Sequence, residues 1–225
     1  MDFLSEQKAI ENLREGSINA EQHGDGDDSM LRFSIDSDEN AVMSVAATPW
    51  PDADYHLTAE TPEKLAELLD DVLHAMHIQS VLVMPVSEWR SVLDLVAFEL
   101  ATDEDWQEVD AEASLHQRTR DPLEVPPDQR QTMLAMVKAI LENGEGEVTD
   151  LNLLAPGVAV VIEVRHPAEL RVHSGNRAVL DTLARKLGAA CAVGLAPPPR
   201  RSRPSPPPHP TAIRSPMLGL SCAAP

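Results

Sequence analysis

Between residues 61 and 100 the chain alternates two hydrophobic periods, and this alternation constrains its fold more than any other feature. Thr61 serves as a helix cap and Pro62 as the first helical residue. Leu65, Leu68, Leu69, Val72, Leu73 and Met76 then recur on one stripe. The run SVLVMPV (80–86) follows, short and continuously apolar, as a strand buried on both faces reads. Ser87 then caps a second helix with Trp89, Val92, Leu93, Val96 and Leu100 on its apolar side. Helix, buried strand and helix in succession is the pattern of helices layered on a sheet.

The same signals recur on both sides of this block. A third helix is predicted over 128–142, with Leu134, Val137, Ile140 and Leu141 inward and NGEG ending it. Successive strands follow at 151–155, 158–164 and 169–172, separated by Pro156-Gly157 and His166-Pro167. The last helix begins at Asn176, buries Val179, Leu180, Leu183 and Leu187, and stops at Gly188. Upstream, Leu31, Phe33 and Ile35 alternate with Arg32, Ser34 and Asp36, the period of a half-buried strand. The turn SDEN (37–40) leads into AVMSVAA, which reads as its hairpin partner. Residues 2–15 predict a short amphipathic helix, and GSINAEQHGDGDDS a flexible linker. The polar segment 103–127 yields one edge strand near 111–118.

The expected fold is therefore α/β or α+β, a mixed sheet of about five to seven strands with amphipathic helices packed on it. The organisation expected is a helix and linker over 1–29, then an acidic domain over 30–190 with a lobe boundary near 103–127. Residues 191–225 form a basic, proline-rich tail expected to be disordered.

Charge narrows the partners. The chain holds 37 acidic and 18 basic residues, a net charge of −19. From Leu195 onward there are four arginines and no acid, so 14 basic side chains face 37 acidic ones before it, or −23. Such a surface repels phosphate backbones and anionic lipid, so nucleic acid and membrane are not expected partners. Another protein with a basic surface is, with a homodimer as the alternative. Cys191 and Cys222 are too few for a disulfide framework and fit a reducing cytoplasm. The opening MDFLSEQKAIENLREG lacks the apolar core of a signal peptide.

Several residue patterns invite a chemical reading. Asp36, Asp38 and Asn40 imitate the start of a calcium loop, but Ala41 and Ala47 stand where Gly and Glu are needed. The 25–28 acidic run fails in the same way. His74 and His77, spaced i and i+3, are candidate metal ligands, although a site needs three or four. Asp52, Asp54 and His56 read as a solvated turn. The most suggestive segment is Arg171, His173, Ser174, Gly175, Asn176 and Arg177. There a strand gives way through one glycine to a helix whose free N–H groups could hold an anion. An Asn-capped helix after a tight turn explains the same residues without a ligand. Arg201, Pro204 and Pro207 match a polyproline ligand, as any arginine-containing proline-rich tail does. No nucleophile elbow and no cysteine–histidine signature is present.

Three functions follow as expectations, none requiring a cofactor. The first is a non-enzymatic protein-interaction or regulatory domain of a cytoplasmic, bacterial protein. The second is a small enzyme or ligand-binding domain for an anionic ligand at the 171–177 turn. The third is an acidic chaperone-like protein for a basic client, which would need an exposed apolar patch.

Overall fold

The structure is a computed structural model that describes residues 1–24, 29–47, 50–59 and 61–188. The proline-rich tail and its polyproline pattern, both cysteines and the 25–28 acidic run lie outside the described residues. Among the described residues ten strands and six α-helices follow one another as β1 (Asp2–Phe3), α1 (Glu6–Glu15), β2 (Ile18–His23), β3 (Met30–Ile35), β4 (Ala41–Ala46) and β5 (Tyr55–Leu57). Then come α2 (Pro62–Ala75), β6 (Val81–Pro85), α3 (Trp89–Glu99), α4 (Glu104–His116) and β7 (Leu123–Val125). The chain continues with α5 (Arg130–Asn143), β8 (Leu151–Leu154), β9 (Val160–Arg165), β10 (Glu169–Ser174) and α6 (Arg177–Gly188).

Eight of the strands make one mixed sheet in the order β1-β7-β6-β8-β9-β10-β4-β5. Every neighbouring pair is antiparallel except β4–β5. The sheet with helices on it is the expected architecture. It exceeds seven strands because β1, β5 and β7 are two- or three-residue segments with too few positions to show a period.

Side-chain alternation distributes the core. Val81 and Val83 of β6 join the main core with α2, α3, α5 and α6, whereas Leu82 and Met84 face the other way. There they meet a small layer of α1, β2 and β3, through Leu13, Ile18, Leu31 and Phe33. β6 is thus buried on both sides, as its unbroken apolar run predicts. Thr61 caps α2 through the Lys64 N–H, and Pro62 opens the helix. Asp121 ties the N-terminus down, accepting from the Glu6 N–H at 3.0 Å and lying 3.0 Å from His116, on which Phe3 stacks.

The structure corrects the sequence reading of several elements; among them, the helix predicted over 2–15 begins at Glu6, after Asp2–Phe3 as β1. Residues 18–23 are not linker but β2, paired along its whole length with β3. β3 and β4 are not a hairpin: β4 pairs with β10 and β5 instead. Residues 111–118 lie largely in α4, whose Trp106, Val109 and Ala113 make a buried i, i+3, i+7 stripe behind an Asp103 cap. Ser87 does not cap α3. The Trp89 and Arg90 N–H groups instead donate to the carbonyls of Thr119 and Gln117. Val179, expected inward, is 37 % exposed on α6.

Gly175 is held by packing rather than by its backbone freedom. A Cβ there would lie 3.0 Å from both the Ala159 and the Ile35 side chains, and 3.3 Å from that of Ser37. Gly175→Ala is therefore expected to destabilise the protein by about 1–3 kcal/mol through overpacking, read as a lower urea midpoint. A midpoint at or above wild type would show that these neighbours yield.

Candidate functional site

The face of the sheet that carries α1, β2 and β3 continues from their apolar layer into a polar region whose Ser44, Asn152 and Glu163 are buried. Strand register aligns one row across five strands, Asn152, Glu163, Arg171, Ser44 and His56. Two residues along, Arg165, Glu169 and His173 share that face. Of the six candidates over 171–177, Arg171 and His173 belong to this cluster. The other four do not.

Glu163 is the centre of the cluster, its side chain only 9 % exposed. It accepts from Arg165 Nε at 2.7 Å, with His173 Nε2 at 3.6 Å and Arg171 Nη1 at 3.9 Å. Burial alone would raise its pKa. The charge of His173 nearby, with the hydrogen bond and charge of Arg165, outweighs that and holds it down at about 2. Arg171 gives two bonds to Glu169, at 2.9 and 2.8 Å, and its guanidinium lies 4.2 Å from the centre of the Trp50 ring. The Ser44 hydroxyl donates to the same Glu169. Arg165 also reaches Asp150, 3.8 Å away. Burial pushes the Asp150 carboxyl up to about 6, against a hydrogen bond from the His166 N–H and the Arg165 charge.

Chemically this arrangement is self-neutralising. Both guanidinium groups already bind carboxylates of the same chain, so an incoming anion would have to displace them. Ser44 is 1 % exposed and hydrogen-bonded to a carboxylate, which suits a structural tie rather than a nucleophile.

The rest of the 171–177 segment builds the turn. Ser174 Oγ accepts from the Asn176 N–H, and Asn176 Oδ1 accepts from the N–H groups of Ala178 and Val179. The first-turn donors that could have held an anion are thereby occupied by the cap. Arg177 pairs with Asp54, which also accepts from the Val42 N–H, so Asp54 is a tie between α6 and β4 and not part of a solvated turn. Next to it, burial and a hydrogen bond to Asp181 raise the Tyr55 hydroxyl to about 12.

His74 and His77 do not share a helix face. α2 ends at Ala75, and His77 takes a left-handed φ of 56°, while the Ile78 N–H closes back on the Leu73 carbonyl. Among the described residues no three His, Cys, Asp or Glu side chains gather as a metal would require. Two open grooves flank α2, about 320 Å³ against α5 and about 280 Å³ against α6. The first is bridged by ion pairs from α5 to α2, Lys138–Glu63 and Arg130–Asp70.

A different kind of surface lies on the antiparallel pair α3–α4. From Ser91 to Gln117 the sequence has eight acidic residues and no lysine or arginine. Asp94, Glu99, Glu104 and Asp110 are exposed and have no partner among the described residues. On α2 and α5, in contrast, Glu63, Glu67, Asp70 and Glu142 each lie within 4 Å of a lysine or arginine. Sequence reasoning registered this stretch only as polar. The visible signal was the absence of any counter-charge across 27 residues. Among the described residues no helix is long and apolar enough to cross a membrane. No family model, no curated protein and no solved structure matches the chain.

Proposed function

We propose that the chain is a non-enzymatic protein-interaction or regulatory domain, acidic and cytoplasmic, whose partner brings a basic surface to the α3–α4 pair. The observation that carries this reading is that α3 and α4 expose four carboxylates, Asp94, Glu99, Glu104 and Asp110, with no counter-charge among the described residues. Exposed like charges on one helix pair repel, and a cationic partner relieves that repulsion while being steered to them. The polar sheet face supports the same reading indirectly, because its charges are already matched to one another. The exposed large apolar side chains Phe98, Leu115, Val148, Val158 and Val179 are spread over α3, α4, two loops and α6. That favours a specific docking surface over the broad apolar patch a chaperone-like protein needs.

The test is affinity chromatography on the immobilised chain, beside a variant carrying Asp94→Asn, Glu99→Gln, Glu104→Gln and Asp110→Asn. Wild type should retain a stoichiometric basic protein that elutes as salt shortens the screening length below about 10 Å, and the variant should not. Recovery of nothing at low salt, or equal recovery on both, would remove the reading.

A further inference from the structure

The chain has seven aromatic side chains, and six of them are engaged. Trp89, Trp106 and Phe33 are in the core, Phe3 stacks on His116, Trp50 lies over Arg171, and Tyr55 bonds Asp181. The seventh, Phe98, is 86 % exposed. It sits in the last turn of α3 beside half-buried Leu95, with Asp94 one turn back and Glu99 next in sequence. The position also breaks a local rule. The C-terminal turn of a helix is the negative end of its dipole and favours cations, yet α3 places Glu99 there and no basic residue. The last turn of α3 thus brings together an exposed aromatic and two carboxylates that have no partner among the described residues.

Resting on the proposed function above, we infer that the C-terminal turn of α3 docks a basic amphipathic helix of another protein, with Phe98 as its apolar anchor. The partner's lysines or arginines meet Asp94, Glu99 and the carbonyl end of α3, and its apolar side covers Phe98 and Leu95. Aromatic anchors of this kind concentrate binding energy at interfaces. A second copy of the chain fits poorly, because it would set the same unpaired carboxylates against each other. Nucleic acid and anionic lipid are repelled for the same reason.

The probes are two dye-labelled peptides of about four helical turns and equal charge, one built from Lys and Leu and the other from Lys and Ser. They are titrated against the full chain by fluorescence anisotropy. The Lys/Leu peptide should bind more tightly. Phe98→Ser should weaken it about tenfold or more, Asp94→Asn/Glu99→Gln should weaken both peptides, and Val158→Ser should change neither. Because Phe98 is exposed, its variant should keep the wild-type melting temperature. If both peptides bind equally and Phe98→Ser has no effect, the anchor inference is overturned while the electrostatic reading stands. If neither peptide binds at low salt, both fall. A dimer by light scattering that Phe98→Ser abolishes would overturn the inference in favour of a second copy.

Discussion

Replacing Glu163 by alanine is expected to destabilise the protein by about 3–5 kcal/mol, the range for removing one member of a buried ion cluster. The direction follows from what remains. Arg165 and Arg171 are 12 % and 19 % exposed at their side chains, and His173 is 23 % exposed. Without the carboxylate, Arg165 loses its 2.7 Å partner and keeps only Asp150 at 3.8 Å, and His173 loses its carboxylate neighbour, while Arg171 keeps Glu169. Glu163→Gln should cost less, since the amide oxygen can still accept from Arg165 Nε. Urea unfolding followed by circular dichroism measures both, and the slope should stay unchanged. The same variants separate structure from function. If the cluster is an internal tie, Glu163→Gln at a temperature where it is folded should bind cationic peptides as wild type does. A loss for Glu163→Ala below about 1 kcal/mol, the worth of an exposed pair, would mean that water reaches the cluster and the sheet face is open.

Much of this fold was legible because its signals are local. The stripe of α2, the double-sided burial of β6 and the cap and stop of α6 each lie within a few turns of sequence. What escaped was non-local. β4 follows a turn signal that suits a hairpin with β3, yet its ladder is made with β10, where Ser44 opposes Arg171. Ile18–His23 looks like linker because Asn19, Glu21, Gln22 and His23 are polar. It becomes a strand because β3 supplies a complete ladder and Ile18 enters the second core. α4 hid for another reason, that its buried side is only Trp106, Val109 and Ala113, a stripe too narrow to stand out among acids. The candidate site divided in the same manner. Alternation in ELRVHS put Arg171 and His173 on one face, but nothing local showed that Glu163, a charge inside an otherwise apolar run, would be their partner.

Acidification from pH 7 should first stabilise the protein and then destabilise it, with a maximum near pH 4, where the Asp150 gain and the Glu163 loss balance. Asp150 is about 6 in the folded chain against an ordinary value of 3.8. Its buried carboxylate is therefore a cost at neutral pH, relieved as the pH falls from about 6 to 3.8, and worth up to about 3 kcal/mol. Glu163 is shifted the other way, to about 2 from 4.5. Its contribution is complete above about 4.5 and is lost between there and 2, again about 3 kcal/mol. Melting temperatures across this range measure the curve. Asp150→Asn should flatten its upper limb, and Glu163→Gln should remove part of the lower one. Stability that only falls from pH 7 downward would contradict the assignment for Asp150. The two carboxylates share Arg165, which favours the ionised form of both but bonds Glu163 at 2.7 Å and stays 3.8 Å from Asp150. The difference lies in the company each keeps. Glu163 adds His173 to a hydrogen-bonded Arg165, enough to outweigh its burial, whereas Asp150 has Arg165 only at 3.8 Å and one backbone N–H to set against its own.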